Sequence, residues 1–416
     1  MESGIRSSLL LLLLLGPAAA QQYIGAGGCA SSNCHGGTSA LPESSSRILG
    51  NEYSVWSVRD KHSKAYSVLA NERSKRMGEI LRVGNAQTAP RCTSCHAAGS
   101  PAKFVSDGVA CEACHGPAEK WLGPHTQANH PHASNVSLGM HDTKDVAARA
   151  RKCLECHLGT GDKIVDHELI AAGHPDLVFE LDTFSAALPM HWRDPKPQAG
   201  NSLPRARAWA VGQAAALGEG MRLLAARAGA SWPEFAELEC YQCHHDLRAE
   251  SWRIQRGYAG RKPGGLVINY ARQDVLRVLA AQSAREQAAA LESSLAQVAN
   301  LTAGRLSDAP AIAAAARAAA QQADLLAARF AKQDFDTAAA RAIIKALAAD
   351  AARIAGSGAH SAEQATMALD ALAAALGPVP AFPAAIARLY DYLEHPSSYQ
   401  PGEFAAQFRK VAALVN

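Results

Sequence analysis

Aromatic side chains are scarce in this chain of 416 residues, at only 6% of the total. So few large apolar rings leave the interior short of filling groups, and we expect something other than side chains to occupy part of it. Neither sign of charge dominates, since 41 Lys and Arg residues balance 38 Asp and Glu residues. This balance gives no indication of a nucleic-acid partner or of binding to a membrane surface. A hydrophobic share of 48% excludes a disordered chain.

Long apolar runs are also missing after the N-terminus. Arg6 precedes a leucine run at 9–15, which the small residues 16–20 follow. This pattern predicts a Sec signal peptide over residues 1–20, cleaved after Ala20. A membrane anchor is the alternative, but seven leucines are far fewer than the roughly 20 residues that a span requires. The mature chain is predicted to be periplasmic or otherwise exported, without a membrane span, in an oxidising compartment.

No cysteine stands alone, because all ten fall into close pairs that a histidine follows directly. Four pairs have the form C-x-x-C-H, and the first pair along the chain has four residues between its cysteines. In chain order the five motifs are Cys29/Cys34/His35, Cys92/Cys95/His96, Cys111/Cys114/His115, Cys153/Cys156/His157 and Cys240/Cys243/His244. C-x-x-C-H is the attachment motif of haem c. Two thiols form thioethers with one porphyrin, and the adjacent imidazole binds the iron.

Two other kinds of site use paired cysteines, namely zinc knuckles and disulfides. Neither requires a histidine directly after every pair, and five such histidines would arise by chance about once in ten million. We therefore expect five haem c groups. In the stretched first motif the extra residues must loop out, and a Cys29–Cys34 disulfide is the alternative there.

Eleven histidines lie outside these motifs and could bind the opposite face of each iron. Methionines number only six, so bis-histidine ligation is predicted rather than His/Met ligation. The predicted distal ligands are His62, His125, His167, His174 and His191. Three histidines are reserves: His130, His132 and His141. His245 is poorly placed beside His244, and His360 and His395 are expected to be ordinary surface residues.

Local sequence patterns predict the backbone structure around three of these ligands. Trp56 and Tyr66 lie near helical spacing from His62, which favours one helix that carries rings and ligand together. Gly173 and Pro175 should end a short helix that contains His167. His167 and His174 are therefore expected to serve different irons.

The first half of the chain, about residues 23–258, resembles the cytochrome c-554/c-prime group of multihaem c-type cytochromes. The matching blocks are Tyr23 to Cys29, Trp56 with His62 to Ala65, Gly108 to Pro117, His167 to Pro175 and Cys240 to His245. The resemblance implies a periplasmic electron carrier with closely stacked, mostly bis-histidine haems, in which His62 is a distal ligand. The lengthened first motif, the fifth motif and the tail after about residue 268 depart from that group.

The fold class is predicted to be mainly α. Residues 21–265 should form a multihaem domain of short helices and long loops, with one longer helix at Trp209–Arg227 and a linker at 257–265. Residues 266–416 are Ala-rich and should form a bundle of about six antiparallel helices.

Helix boundaries in this tail are marked by caps and glycines. Helices are predicted to start near Asp308 and Asp336, and Ser361 to Gln364 matches a capping box. The predicted stops are Gly304, Gly356 and Gly377.

The leading functional hypothesis is electron transfer between a redox-protein donor and acceptor, with no catalytic residue. The alternative is a multihaem oxidoreductase with one open haem that acts on a small nitrogen compound. Such reductases usually carry a C-x-x-C-K motif, which the sequence lacks. A third hypothesis is a structural subunit that docks through its helical C-terminal domain.

Overall fold

The computed structural model describes residues 21–43, 48–193, 203–240, 243–244, 266–269, 271–304 and 308–415. These residues are helical and contain no β-strand, only an isolated antiparallel bridge between Leu238 and Ile268. The predicted mainly-α class is confirmed. The predicted signal peptide, the linker at 257–265 and His245 lie outside the described residues. No helix in the described ranges is long and apolar enough to cross a membrane.

The first part of the chain contains short helices joined by loops, as predicted. None exceeds 12 residues, and several begin at a side-chain cap, such as Asn71, Asp145 or Asp166. The helices are α1 (Glu52–Arg59), α2 (Glu72–Ile80), α3 (Pro90–His96), α4 (Cys111–His115), α5 (His132–Ser137), α6 (Val146–His157), α7 (His167–Ala171) and α8 (Leu181–Ala187).

Longer helices form the second part. The expected helix at Trp209–Arg227 is confirmed within a helix of 27 residues. Eight helices rather than six follow it among the described residues. In order the helices are α9 (Pro204–Ala230), α10 (Ala271–Ser283), α11 (Arg285–Gly304), α12 (Ala309–Lys332), α13 (Thr337–Ala349), α14 (Ala351–Ser357), α15 (Ala359–Leu376), α16 (Phe382–Leu393) and α17 (Pro401–Ala412).

Aspartate caps begin two of these helices as predicted. Asp308 accepts the Ala311 N–H at the start of α12, and Asp336 does the same for Ala339 at the start of α13. The predicted capping box at Ser361 is wrong, because α15 already begins at Ala359.

The predicted helix stop at Gly377 is confirmed, and the predicted stop at Gly356 is wrong. α15 ends at Gly377, where φ is +103°. Gly358 rather than Gly356 separates α14 from α15, because Gly358 has the positive φ that breaks the helix, at +138°.

The bundle has an extensive apolar core. Five of its aromatic side chains are almost completely inaccessible to solvent: Trp209, Phe330, Phe335, Phe404 and Phe408. Helix α9 packs along α12 in this core and also contacts α6 and α8 of the first part. Packing therefore continues across the boundary that we expected near residue 265.

The first part has much less apolar core. Its buried side chains form small clusters, one around Leu81 and Leu169 and another around Leu154 and Phe179. Such small, separate clusters are expected if large apolar groups other than side chains fill the interior of this part.

Candidate functional site

Three of the five motifs lie on helices that end at the motif histidine. Cys92, Cys95 and His96 end α3, and the third and fourth motifs end α4 and α6 in the same way. Residues three and four positions apart share one face of a helix. Both thiols and the imidazole of each motif are therefore on one side, as attachment to a single porphyrin requires.

The first and fifth motifs reach a similar arrangement through turns. The fifth closes one helical turn, since His244 N donates to Cys240 O at 3.0 Å. In the first motif, the N–H groups of Cys34 and Gly36 both donate to Ser31 O. The extra residues thus loop out as predicted, and no disulfide joins Cys29 to Cys34.

In three motifs the second thiol is more exposed than the first. Cys34, Cys114 and Cys243 are exposed, whereas Cys29, Cys111 and Cys240 are partly buried. An exposed thiol is accessible to a porphyrin, and attachment at all five motifs stays a prediction.

Four of the five motif histidines face one of the predicted distal histidines. Ring centres are 6.3 Å apart for His35 and His125, 6.4 Å for His96 and His174, 6.0 Å for His157 and His62, and 5.9 Å for His244 and His167. For His115, the charge of His191 acts more strongly than those of the other neighbouring imidazoles, and His141 is also close, since its backbone N–H donates to His115 O at 2.9 Å. Eight of the ten histidines thus form four pairs, and the assignment of His191 to His115 stays a prediction.

The spacing of these rings fits an iron between them. A metal–imidazole bond is about 2.0 Å long, and the bonding nitrogen lies about 1.2 Å from its ring centre. Two imidazoles on opposite faces of one metal therefore have centres about 6.4 Å apart. The four measured separations of 5.9–6.4 Å agree with this value.

In most of these rings Nδ1 makes the hydrogen bond, which leaves Nε2 available to bind a metal. Nδ1 of His96 lies 2.7 Å from Ala65 O, and Nδ1 of His174 lies 2.8 Å from Pro175 O. His125 and His191 use Nδ1 in the same way, towards backbone carbonyls. A donor bond at Nδ1 fixes the tautomer in which Nε2 carries the free lone pair, which is the form that binds metal.

Carboxylates orient two further ligands. Asp60 lies 3.0 Å from His62 Nδ1, and Glu52 lies 2.9 Å from His35 Nδ1. Although burial acts in the opposite direction, these hydrogen bonds lower the pKa of both Asp60 and Glu52. Both groups are therefore anionic at neutral pH and strengthen the imidazole as an electron donor.

Burial keeps several ligands neutral, which metal binding requires. It lowers the pKa of His115 and of His157 to about 4, with neighbouring imidazoles adding to the effect. Burial also lowers the pKa of His174. His35 is the exception, because its hydrogen bond to Glu52 raises its pKa.

Contacts between motifs show which ones are neighbours in space. The thiol of Cys29 is within hydrogen-bonding reach of Cys111, and the thiol of Cys95 is within reach of Cys156. The neighbouring charges that act on Cys114 include the two thiols of the fourth motif, Cys153 and Cys156, which places these two motifs near each other. The first motif therefore adjoins the third, the third adjoins the fourth, and the fourth adjoins the second.

The expectation for the helix around His62 is wrong. α1 ends at Arg59, and His62 lies in a separate turn that Asp60 caps by accepting the His62 N–H. Trp56 instead donates its indole N–H to Val109 O. The extended backbone of Asp60, with ψ of 126°, separates the two segments.

The three reserve histidines differ in their contacts, and the prediction for His360 in the tail is wrong. His141 Nδ1 lies 3.2 Å from Cys114 O, and His130 Nε2 is buried with no hydrogen-bond partner among the described residues. His132 directs Nε2 at Asp142, at 2.9 Å, which makes it unsuitable as an iron ligand. His360 is not an ordinary surface residue, because its side chain is only 15% exposed and pairs with Asp176. His395 is exposed as expected.

Sequence reasoning missed the carboxylates that support these ligands. Asp60, two residues before His62, matched a capping pattern and could have been found. Glu112 lies between the cysteines of the third motif and accepts the N–H groups of Ile24, Gly25 and Ala118. No local signal marks that role, because two of its partners lie far away in the chain.

Comparison with known proteins supports one region of the chain. No curated protein and no solved structure matches it. Residues 29–116, which hold the first three motifs, match the family model described as cytochrome c554 and c-prime. This match confirms, over those residues, the resemblance seen in the motifs, and it supports a c-type cytochrome with haem c that functions in electron transfer.

Proposed function

We propose that the protein is a periplasmic multihaem cytochrome that carries five haem c groups and passes electrons between a donor and an acceptor protein. When bound, haem c supplies an iron that gains and loses one electron. The cysteines of the five motifs would hold the porphyrins. The five motif histidines and the five predicted distal histidines would bind the irons.

The observation that carries this proposal is the pairing of the histidines. Four motif histidines each face a different second imidazole at the separation expected across one metal. Chance contacts among surface histidines would not give four exclusive pairs, and His191 is proposed as the partner of His115. Two ligands that are already in place keep the iron environment nearly unchanged when its charge changes, which suits electron transfer.

The chain also brings successive attachment sites together. Thiol contacts of Cys29 with Cys111 and of Cys95 with Cys156, and the nearness of Cys114 to the fourth motif, support a row in the order first, third, fourth and second. Closely spaced sites in a single row favour transfer along the row over reaction at any one of them. The alternative, an enzyme with one open haem, needs a motif histidine without a facing imidazole, whereas four of the five have one and His191 is proposed to complete the fifth.

Low-temperature EPR of the oxidised protein tests the ligation. We expect low-spin signals only, of two kinds, because the ring planes are nearly perpendicular at His96/His174 and His157/His62, at 89°, but only 7° apart at His35/His125. Perpendicular planes bring the iron dπ orbitals closer in energy and widen the spread of g values. A high-spin signal from the intact protein would support the enzyme instead.

Single substitutions provide the matched comparison. His174→Ala should convert one low-spin haem to high-spin while intact mass still shows five haems. His132→Ala is the control, because its Nε2 already contacts Asp142. Equal spectra for the two variants would contradict the assignment of His174, and a mass of four haems in the unsubstituted protein would contradict the haem count.

A further inference from the structure

We propose that the first turn of α15 forms a wall of the fifth haem site, and that His360 is a positioning residue that holds Asp176 beside Cys240. This inference rests on the proposed function, because it takes the fifth motif to carry a haem. It assigns to the C-terminal bundle a part in cofactor binding.

The contacts at the fifth motif carry this inference. His360 Nε2 lies 3.3 Å from Asp176 Oδ2, and its side chain is largely buried. One donor atom from each of Asp176, Cys240 and His360 lies within 4.8 Å of the others. With Cys240 in a thioether, this group is a wall of the haem site rather than a metal-binding cluster.

Asp176 also joins two sites. It follows His174, the second imidazole of the His96 pair, by two residues, and it approaches Cys240 of the fifth motif. The contact therefore adds the fifth motif to the row next to the second. His360 lies at this junction.

The backbone around Cys240 is anchored to the bundle as well. Glu239 N donates to Val267 O at 2.8 Å, and Asn269 N donates to Glu237 O at 2.9 Å, directly before α10. A Cβ at Gly358 would come within 2.9 Å of the Glu239 carboxylate. Glycine at this position, where φ is +138°, permits the start of α15 to approach the motif.

Charge gives this wall a measurable effect. Asp176 is the charged group that acts most strongly on Cys240, ahead of Glu239. A carboxylate near an iron favours the ferric state and lowers its potential. His360 Nε2 lies 3.3 Å from the Asp176 carboxylate and so reduces the effect of that charge. Loss of His360 should lower one haem potential, whereas loss of the Asp176 charge should raise it.

Four variants of the full haem-loaded chain test this. His360→Ala, His360→Gln and Asp176→Asn are compared with His395→Ala, which removes an exposed histidine of the same bundle. Intact mass gives the haem count, and a spectroelectrochemical titration gives the five potentials. We expect one potential to fall in His360→Ala, to rise in Asp176→Asn, and to remain near its original value in His360→Gln, which keeps a donor.

Opposite shifts from the two charge changes would support the proposal, since a general loss of packing would not reverse sign. The proposal is overturned if His360→Ala and Asp176→Asn shift the same potential in one direction, or if both match His395→Ala. Failure of the proposed function is separate, because it would be visible in the unsubstituted protein as fewer than five low-spin haems.

Discussion

Replacement of Asp60 by asparagine tests how the chain tunes one iron. The Asp60 side chain is 6% exposed, and its Oδ1 accepts from both the backbone N–H and Nδ1 of His62, at 2.9 and 3.0 Å. An anionic acceptor makes the imidazole a stronger donor and favours ferric iron. Asparagine keeps the shape and an acceptor oxygen but removes the charge.

The size of the effect follows from the hydrogen bond. Bonds to charged groups contribute about 1 kcal/mol more than neutral ones. For one electron, about 1.4 kcal/mol corresponds to about 59 mV, so Asp60→Asn should raise the potential of the haem at His157 and His62 by about 40 mV. A spectroelectrochemical titration measures this shift, while the other potentials should change much less.

Loss of negative charge alone needs a control. Glu72→Gln removes a carboxylate that is 89% exposed and paired with Lys75. Its effect should be small because solvent and salt screen it. If Asp60→Asn leaves the potential unchanged, lowers it, or shifts it no more than Glu72→Gln does, then the hydrogen bond does not tune this iron.

Three further substitutions probe buried charges. Glu112→Ala leaves three backbone N–H groups without their acceptor and should lower the free energy of unfolding in guanidinium by about 3 kcal/mol. A loss below about 1 kcal/mol would show that the hydrogen bonds to Glu112 do not stabilise the fold. Burial raises the pKa of Glu180 from 4.5 to about 7, so the folded protein retains a proton that the unfolded chain releases. Relative to Glu180→Gln, stability should therefore fall between pH 4.5 and 7, by up to about 3 kcal/mol, and then level off; a constant difference over that range would contradict the shift. Arg227→Met leaves buried Glu237 unpaired and should cost about 3–5 kcal/mol in thermal or guanidinium unfolding, which adding Glu237→Leu should largely restore; no recovery would show that the ion pair is not the cause.

The sequence predicts local chemistry well and long-range contacts poorly. Motif spacing alone gives the side of the helix that Cys92, Cys95 and His96 share. The pairing of His96 with His174 could not be derived, because it depends on how distant segments pack. His360 was misjudged for the same reason, since its distance from any motif along the chain was taken as distance in space. The helix expected around His62 failed because the Asp60 cap outweighed the apolar periodicity.

The order of ligands along the chain also governs when each site can be completed. Under the proposed ligation, the first three motifs precede their facing histidines, whereas the fourth and fifth follow theirs. A chain made from its N-terminus as far as residue 116 has three attachment motifs but none of the second imidazoles at His125, His174 and His191. Under that ligation, an iron bound at one of the first three motifs would stay open on one face until the segment 117–191 supplies its second imidazole.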